Sequence, residues 1–496
     1  MIYDANTGTL PADLSFNCCV IGSGPAGITL ALKLAEAGQR VVLMEAGDRD
    51  FTAESQDLYQ GALLGLDSHP LDTPRLRYLG GTSGHWTGRC LLMDPSDFVR
   101  RADVPLSGWP IGYDDLAPYQ NAAAEIIGTE PFDSLRTPAD DSGTIDLITQ
   151  RFSSEHELFD LRAYDSRRFG TYYEKALEET PGIDVILNAN HTRFKVDGDN
   201  GQIIAAQFRN YADLTAEVTA ETFVIAKGAM ENARTLLHLN AEYDNRFGNQ
   251  GDMVGRCFMD HPRVRHGAYF ITKRLYSHSR YFELERIFRR TVPELVLSAA
   301  PDYARSEGML NAAVWLERLS SDPLTEYEVG ETSFIQALEY NRDYFYVGTS
   351  KVNGEQSPNL NSRIMLLPDQ DRFGLYKIGF DWQLQPIDIS SMRRATIEAA
   401  QFLIRTGLGR MQIDPDLWAE RPPEELPLES SSHHMGGTRM ADTPDLGVVD
   451  ANCQVIGSQN LYVAGSSVFA TSGHANPTFT IVQLALRLSD HLISQA

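Results

Sequence analysis

Apolar and polar positions follow one rhythm at the two ends of the chain and another in the middle. Asn17 to Ile21 is a short apolar run, Pro25 to Ala37 repeats apolar residues at helical spacing, and Arg40 to Met44 is apolar again. This order predicts a βαβ unit opening a parallel sheet. Gly47 to about Asp97 is dense in Gly, Ser, Thr and His without periodicity, and an aperiodic stretch of that length implies functional backbone. Trp109 to Gly128 reads as helical, and Asp146 to Gly182 as helical turns mixed with loops. Strands are predicted at Asp184 to Leu187, Thr192 to Val196, Ile203 to Arg209 and Thr222 to Ala226, with a helix over Glu231 to Leu239.

Between Arg263 and Gln385 the pattern alternates with period two in Arg265 to Thr272, Leu295 to Ala299, Asp343 to Thr349, Arg363 to Leu367 and Tyr376 to Trp382. Such a set predicts a largely antiparallel sheet in a second lobe. Ile387 to Gly407 is an amphipathic helix, and the tail returns to α/β character with a strand at Asn460 to Ala464 and a helix at Pro477 to Ser494. The chain has 496 residues, enough for two large lobes or three ordinary domains.

Charge and cysteines narrow the classes. With 43 Lys+Arg against 67 Asp+Glu the formal net charge is −24, a surface that repels phosphate backbones and anionic lipid. Nucleic-acid and membrane partners are therefore not expected, and a neutral substrate held by hydrogen bonds is. No run approaches the length of a transmembrane span, and the run at Cys18 to Ile21 lacks the basic leader of a signal peptide, so the chain is expected to start near Met1 and act in the cytoplasm. Cys18, Cys19, Cys90, Cys257 and Cys453 are scattered and odd in number, which reads as buried free thiols and not as a metal site.

Gly22-Ser23-Gly24-Pro25-Ala26-Gly27 follows the first strand and opens the first helix, and Glu45 ends the next strand. In that context Gly22 permits a tight turn, Gly24 lets backbone approach a pyrophosphate, Gly27 allows close helix packing, and the helix N-terminus offers unpaired N–H groups to the anion. Glu45 can accept from both ribose hydroxyls, which disfavours a 2′-phosphate. The fingerprint alone leaves NAD and FAD open. Its place at one end of the chain, with α/β character returning only at the other, matches an FAD domain interrupted by a substrate lobe.

Five blocks then carry a resemblance: the fingerprint; Tyr78 to Cys90 with Asp94-Pro95 and Asp97-Phe98; Val224 to Arg234; Val254-Gly255-Arg256 with Met259-Asp260-His261-Pro262; and His433 to Met440 with Gly447 to Asp450, Asn460 to Ser467 and Gly473 to Thr478. The sequence resembles the glucose–methanol–choline (GMC) oxidoreductases, and within them the pyranose oxidases and glycoside 3-oxidases and 3-dehydrogenases. Ser83-Gly84-His85-Trp86-Thr87-Gly88 and Ala475-Asn476-Pro477-Thr478 carry the closer likeness. The resemblance implies an α/β FAD-binding domain of Rossmann-like GMC type plus an α+β substrate domain. It divides the chain into FAD-binding parts at 1–100, 183–262 and 426–496, the last with the catalytic residues, and substrate-domain parts at 101–182, helical and loop-rich, and 263–425. The chain is shorter than fungal pyranose oxidases, so a monomer or small homo-oligomer is expected.

The same resemblance implies FAD contacts at Gly22, Gly24, Pro25, Ala26, Gly27, Glu45 and Ala46, at Gly81, Thr82, Ser83, His85, Trp86 and Thr87, at His191 and Gly228, and at Gly465, Ser466, Asn476, Pro477 and Thr478. His85 stands where pyranose oxidases attach FAD covalently, and Thr87 is expected near flavin N5. Alcohol oxidation needs a base for the hydroxyl proton, and a neutral imidazole suits working pH. Counting back from Arg439-Met440 selects His433, while an HxxGT pattern selects its neighbour His434. Asn476, 43 residues on from His433, is expected to donate to the oxygen as charge develops, although an N-capping Asn would look the same in sequence. His433 and Asn476 also contact substrate in this reading, with Gln356 as a further contact, and His474 either nears the site or simply packs. Arg280 to Arg290 and Ser320 to Glu331 read as solvated loop and helix, one of them a lid.

The function implied is oxidation of a ring secondary hydroxyl, at carbon-2 or carbon-3 of a pyranose sugar or glycoside, with O2 or a quinone as acceptor. Oxidation of a sterol or aryl alcohol, and a redox-silent hydroxynitrile lyase that retains FAD, are the competing readings.

Overall fold

The structure is a computed structural model that describes residues 1–129, 136–139, 145–153, 167–272, 291–318, 345–419 and 421–495. Its first sheet runs Ile2–Asp4, Ile183–Leu187, Val41–Met44, Ser15–Ile21, Thr215–Ile225, Gln202–Arg209, Asn190–Asp197, and the strand Leu461–Val463 also pairs with Thr215–Ile225. Cys18 to Ile21 and Val41 to Met44 are buried without alternation, as parallel strands covered on both faces must be. The helix Pro25–Glu36 packs on this sheet and on the terminal helix Thr478–Gln495.

Thr215–Ile225 ties the chain's ends together. Its first half pairs antiparallel with Gln202–Arg209, its last residues pair parallel with Leu461–Val463, and its other edge pairs parallel with Ser15–Ile21. Consequently the carboxyl ends of Ser15–Ile21, Val41–Met44, Ile183–Leu187, Thr215–Ile225 and Leu461–Val463 lie along one edge, where ligands of open parallel sheets bind. Gly22, Glu45, His191, Gly228 and Gly465 all follow these ends.

The second sheet is antiparallel throughout, in the order Gly409–Met411, Pro262–Thr272, Phe345–Gly354, Ala312–Arg318, Thr291–Ala299, Ile145–Ser153, Arg136–Ala139, with Glu429–Ser430 added to Pro262–Arg263. Period two sorts its faces. Val264, Val314 and Val352 pack with Met392, Ala399 and Phe402 of the helix Pro386–Arg405, while Arg263, Trp315 and Asn353 point to the opposite side. A three-stranded sheet joins Arg363–Gln370, Tyr376–Asp381 and Gly61–Leu63, the last in parallel.

Three sequence expectations change. Ile145–Ser153 is a strand where turns and loops were expected, because its register on Thr291–Ala299 supplies a ladder that local composition does not announce. Within Trp109 to Gly128 only Gln120–Ile127 is an α-helix, preceded by 3₁₀ turns at Tyr113–Asp115 and Ala117–Tyr119; Pro110 and Pro118 lack the N–H a longer helix needs. Ala312–Arg318 and Gly61–Leu63 are additional strands. The segments Arg280 to Arg290 and Ser320 to Glu331 lie outside the described residues. All five cysteines are buried and free. Among the described residues no helix is long and apolar enough to cross a membrane, and no cluster of metal-ligating side chains occurs.

Candidate active site

The glycine turn is sterically obligatory. Gly22 has φ +111°, and a Cβ there would lie 2.5 Å from the Ala226 carbonyl oxygen, where Thr215–Ile225 ends against the fingerprint strand. Gly27 does not line the cavity; a Cβ on it would meet the Gly22 carbonyl oxygen at 1.9 Å, so it serves the close helix packing its spacing implies. Gly24 has open space before it. Glu45 reaches back across the turn, its Oε2 accepting from the Ser23 N–H at 3.1 Å and the Ser23 hydroxyl at 2.5 Å, and its Oε1 accepting from the Gly47 N–H at 2.9 Å.

These groups open onto a cavity of about 680 Å³ that runs from Glu45 and Ala46, past Gly22, Gly24, Pro25 and Ala26, to His433, His434 and Asn476. Gly81, Thr82, Ser83, His85, Trp86, Thr87, His191, Gly228, Gly465, Ser466, Pro477 and Thr478 line it as well, so every expected FAD contact except Gly27 faces this space. The residues fit an FAD. The helix N-terminus and Gly24 leave room for a diphosphate, Glu45 retains acceptor capacity beside them, and the buried His191 Nε2 has no hydrogen-bond partner among the described residues. His85 is exposed at the cavity rim with Nε2 3.3 Å from the Pro74 carbonyl oxygen, and burial lowers its pKa. The terminal helix starts at Thr478, and the Pro477 carbonyl accepts its first i→i+4 bond from the Ile481 N–H at 2.9 Å.

At the far end His433 Nε2 lies 3.1 Å from Asn476 Nδ2, and His433 Nδ1 lies 2.9 Å from His261 Nδ1. The structure thus brings His433, and not His434, to Asn476. His434 lines the cavity with its ring tilted against Phe258, and its carbonyl accepts from the Ser466 hydroxyl at 2.6 Å, which pins the His433–His434 loop to the turn after Leu461–Val463. Asp260 clamps this loop from behind: Oδ1 accepts from the backbone N–H of His261 at 2.6 Å and of His433 at 2.8 Å, and Oδ2 from the Ser430 hydroxyl at 2.5 Å and the Ser432 N–H at 3.2 Å.

Burial, then His261, Arg263, His434 and Lys351, holds the His433 pKa well below the ordinary imidazole value, so the ring is neutral near pH 7. Burial, with Arg75 and His69, lowers His434 to about 3.

Gln356 is not where a substrate contact would be. It is fully buried, outside the cavity lining, and its side chain is occupied: Oε1 accepts from the Asp260 N–H and the Trp382 indole N–H, both at 2.9 Å, and Nε2 donates to the Gln383 carbonyl at 3.0 Å. The family resemblance alone suggested a substrate contact, whereas Gln356 braces Asp260. His474 is buried behind His261, whose pKa it helps lower, and does not line the cavity.

Sequence reasoning missed the wall opposite His433. Arg89, Arg263, Trp315 and Asn353 line it, with Arg263 Nε donating to Asn353 Oδ1 at 3.1 Å and Arg89 over the Trp315 ring at 5.2 Å. The one usable signal was the period-two face of the antiparallel strands. It also missed the buried cluster in which Glu231 pairs with Arg75 at 3.0 Å and Arg234 at 3.3 Å. Burial alone would raise Glu231, but Arg234, Arg75, Lys227 and Arg77 outweigh it and hold the carboxyl at about 2, while burial pushes Lys227 down to about 8.

A glycine-turn FAD cradle leading to a half-buried imidazole and a buried carboxamide defines a flavoprotein oxidoreductase with an antiparallel substrate lobe. Residues 358–485 match the GMC oxidoreductase C-terminal domain and residues 18–70 an FAD-binding domain. These matches give the chain a GMC oxidoreductase C-terminal domain and an FAD-binding domain, and it uses FAD. It is similar to the fructose dehydrogenase large subunit of Gluconobacter japonicus, 24% identical over 97% of this chain and 98% of that protein. A C-glycoside 3-oxidase of Microbacterium trichothecenolyticum is 30% identical over 26% of this chain and 23% of its own length. Among solved structures, pyridoxine 4-oxidase from Mesorbium loti shares the fold, with TM-score 0.55 and 18% identity over 96% of this chain and 98% of that one. The chain is accordingly an FAD oxidoreductase acting on alcohol- or sugar-type substrates.

Proposed function

We propose that this enzyme oxidises a ring secondary hydroxyl, at carbon-2 or carbon-3 of a pyranose sugar or an O- or C-glycoside, to the keto sugar, with O2 or a quinone as final acceptor. The observation that carries the reading is the pairing of His433 Nε2 with Asn476 Nδ2 in a cavity whose facing wall is polar, at Arg263, Asn353 and Arg89. An aliphatic wall would have suited a sterol. The likeness to a C-glycoside 3-oxidase supports the same substrate class.

Bound FAD supplies the hydride acceptor at its N5. His433 Nε2 takes the hydroxyl proton, its lowered pKa keeping it unprotonated at neutral pH. Asn476 Nδ2 donates to the substrate oxygen as negative charge develops there, replacing the hydrogen bond it gives His433 before substrate arrives. Arg263 donates to the remaining ring hydroxyls, and the Asn353 carboxamide pairs with them. His85 is proposed as the point of covalent FAD attachment, because it lines the cavity with its ring exposed. Five buried free thiols favour a reducing compartment, the cytoplasm, as the site of action.

Anaerobic flavin bleaching by free sugars, O-glycosides, C-glycosides, benzyl alcohol and cholesterol tests the substrate class, with NMR of the product locating the oxidised carbon. His433→Ala should bleach about 10² to 10⁴ times more slowly with FAD retained. Bleaching by benzyl alcohol or cholesterol and by no sugar defeats the sugar reading, and normal bleaching by His433→Ala with collapse in His434→Ala defeats the assignment of the base. Flavin left wholly in the supernatant after acid precipitation defeats the covalent link.

A further inference from the structure

The contact between His261 and His433 joins two Nδ1 atoms at 2.9 Å, with the rings nearly perpendicular at 87°. One of these atoms must carry the proton and the other a lone pair. The Asn476 end of the pair decides which. There the carboxamide nitrogen of Asn476 has only hydrogens to offer His433 Nε2, so Nε2 presents its lone pair. A neutral His433 then carries its proton on Nδ1 and donates it to His261 Nδ1. At the other end His261 Nε2 is buried without a hydrogen-bond partner among the described residues, so it does not set the direction. Asp260 does not decide it: its carboxylate accepts the backbone N–H groups of both histidines and so fixes where the rings sit, not which nitrogen is protonated.

We infer that His261 is a positioning residue that holds His433 as the Nδ1–H tautomer, leaving Nε2 as the one atom of that ring able to take a substrate proton. The identity of that proton rests on the alcohol-oxidation reading above; the tautomer is a property of the substrate-free holoenzyme. In the step itself the substrate O–H bond breaks and Nε2–H forms, while the C–H pair leaves as hydride to the flavin and a C=O bond is made. His433 becomes an imidazolium, and its Nδ1–H bond to neutral His261 becomes charge-assisted. Around His433 stand His261, Arg263, His434 and Lys351, and around His261 stand His474 and Arg263, so the new cation is steadied by the lone pair of His261 in a neighbourhood otherwise rich in positive charge.

Long-range ¹H–¹⁵N spectra of ¹⁵N-histidine holoenzyme, with His433 assigned by its loss in His433→Gln, read the tautomer directly. A protonated Nδ1 and a bare Nε2 are expected, and the reverse overturns the inference whatever the variants do. His261→Ala should lower the maximal rate of anaerobic flavin bleaching by the best sugar of the screen about 10- to 100-fold, with half-saturation changed less than about threefold. His261→Asn, whose Oδ1 can accept from Nδ1–H, should recover most of that rate, a rescue that mere filling of space would not give to Asn over His261→Leu. Wild-type rate and pH profile in His261→Ala overturn the inference. Undiminished bleaching by His433→Ala would instead defeat the base assignment, whereas an inactive His433→Ala with the opposite tautomer in the wild type defeats the role of His261 alone.

Discussion

Replacing Asp260 separates the carboxylate's two jobs. Its Oδ1 holds the N–H groups of His261 and His433, and its Oδ2 holds the Ser430 hydroxyl and the Ser432 N–H, with Asp260, His261 and Ser430 themselves buried. Asp260→Asn keeps the shape and an oxygen at Oδ1, so both histidines keep their anchor. The new NH₂ group can donate to the Ser430 hydroxyl, and the Ser432 N–H falls back on Ser430 Oγ, already 3.1 Å away. The loss is one acceptor and a charge, about 2 kcal/mol, or a fall in Tm of about 4–8 °C at roughly 2–4 °C per kcal/mol. Flavin bleaching should stay within about tenfold of wild type. Asp260→Ala leaves three backbone N–H groups without the carboxylate, at about 1–3 kcal/mol each, and releases the His433 backbone. Tm should fall by at least about 6–12 °C, and bleaching by about 10², the scale on which a displacement near 1 Å acts. Thermal unfolding of the holoenzyme and anaerobic stopped-flow measure the two effects. Equal loss of rate in both variants would refute the division between Oδ1 and Oδ2, and an Asp260→Ala enzyme with wild-type Tm and rate would refute the clamp altogether.

Gly22→Ala places a methyl 2.5 Å from the Ala226 carbonyl at φ +111°, so the purified protein should lose most of its 450 nm flavin absorbance relative to 280 nm; retained flavin would show that the turn tolerates a side chain. Glu231 has a folded pKa near 2 against an ordinary 4.5, so it adds stability that is present above about 4.5 and lost as pH falls towards 2, about 3 kcal/mol in all. Urea unfolding from pH 5 to 3 should therefore show a shallower acid decline in Glu231→Gln, from a lower starting stability at pH 7 because Arg75 and Arg234 lose their partner; parallel curves would contradict this. The depressed pKa of His433 makes the bleaching rate level from pH 6.5 to 8, with loss only as more acidic solution protonates Nε2; a midpoint at or above 6.5 in the rate profile would contradict the burial argument.

The parallel sheet was legible because each of its strands is a continuous apolar run followed at once by a chemically specific residue: Gly22 after Ile21, Glu45 after Met44, Gly228 shortly after Ile225, Gly465 shortly after Val463. There local pattern and ligand chemistry coincide. The pairing of His433 with Asn476 was legible through motif spacing, although only the fold separates His433 from His434. Elsewhere sequence distance hid the neighbours. His261 and Asp260 sat in a quoted motif without a role, since nothing local shows that strand Pro262–Thr272 begins beside a loop 172 residues later in the chain. Gln356 looked like a ligand contact through the family resemblance, and only the indole of Trp382 and the N–H of Asp260 reveal it as an internal brace.

The net charge of −24 argues for a neutral substrate as far as diffusion to the surface is concerned, but it does not describe the field where the chemistry happens. Arg263 and Lys351 both act on His433 from the cavity-facing side of the antiparallel sheet, and Arg89 lies over Trp315 on the same wall. Inside a low-dielectric cavity these cations outweigh distant surface carboxylates. On the proposed mechanism they weaken His433 as a base, and by the same field they stabilise the oxygen that becomes negative when its proton leaves. The two effects oppose each other in the ground state and combine along the reaction: the ring stays neutral and ready at pH 7, and the alkoxide character needed for hydride departure is favoured where Asn476 and Arg263 can meet it. On that reading the cations beside His433 support the charged form of an uncharged alcohol only at the carbon–oxygen bond being oxidised.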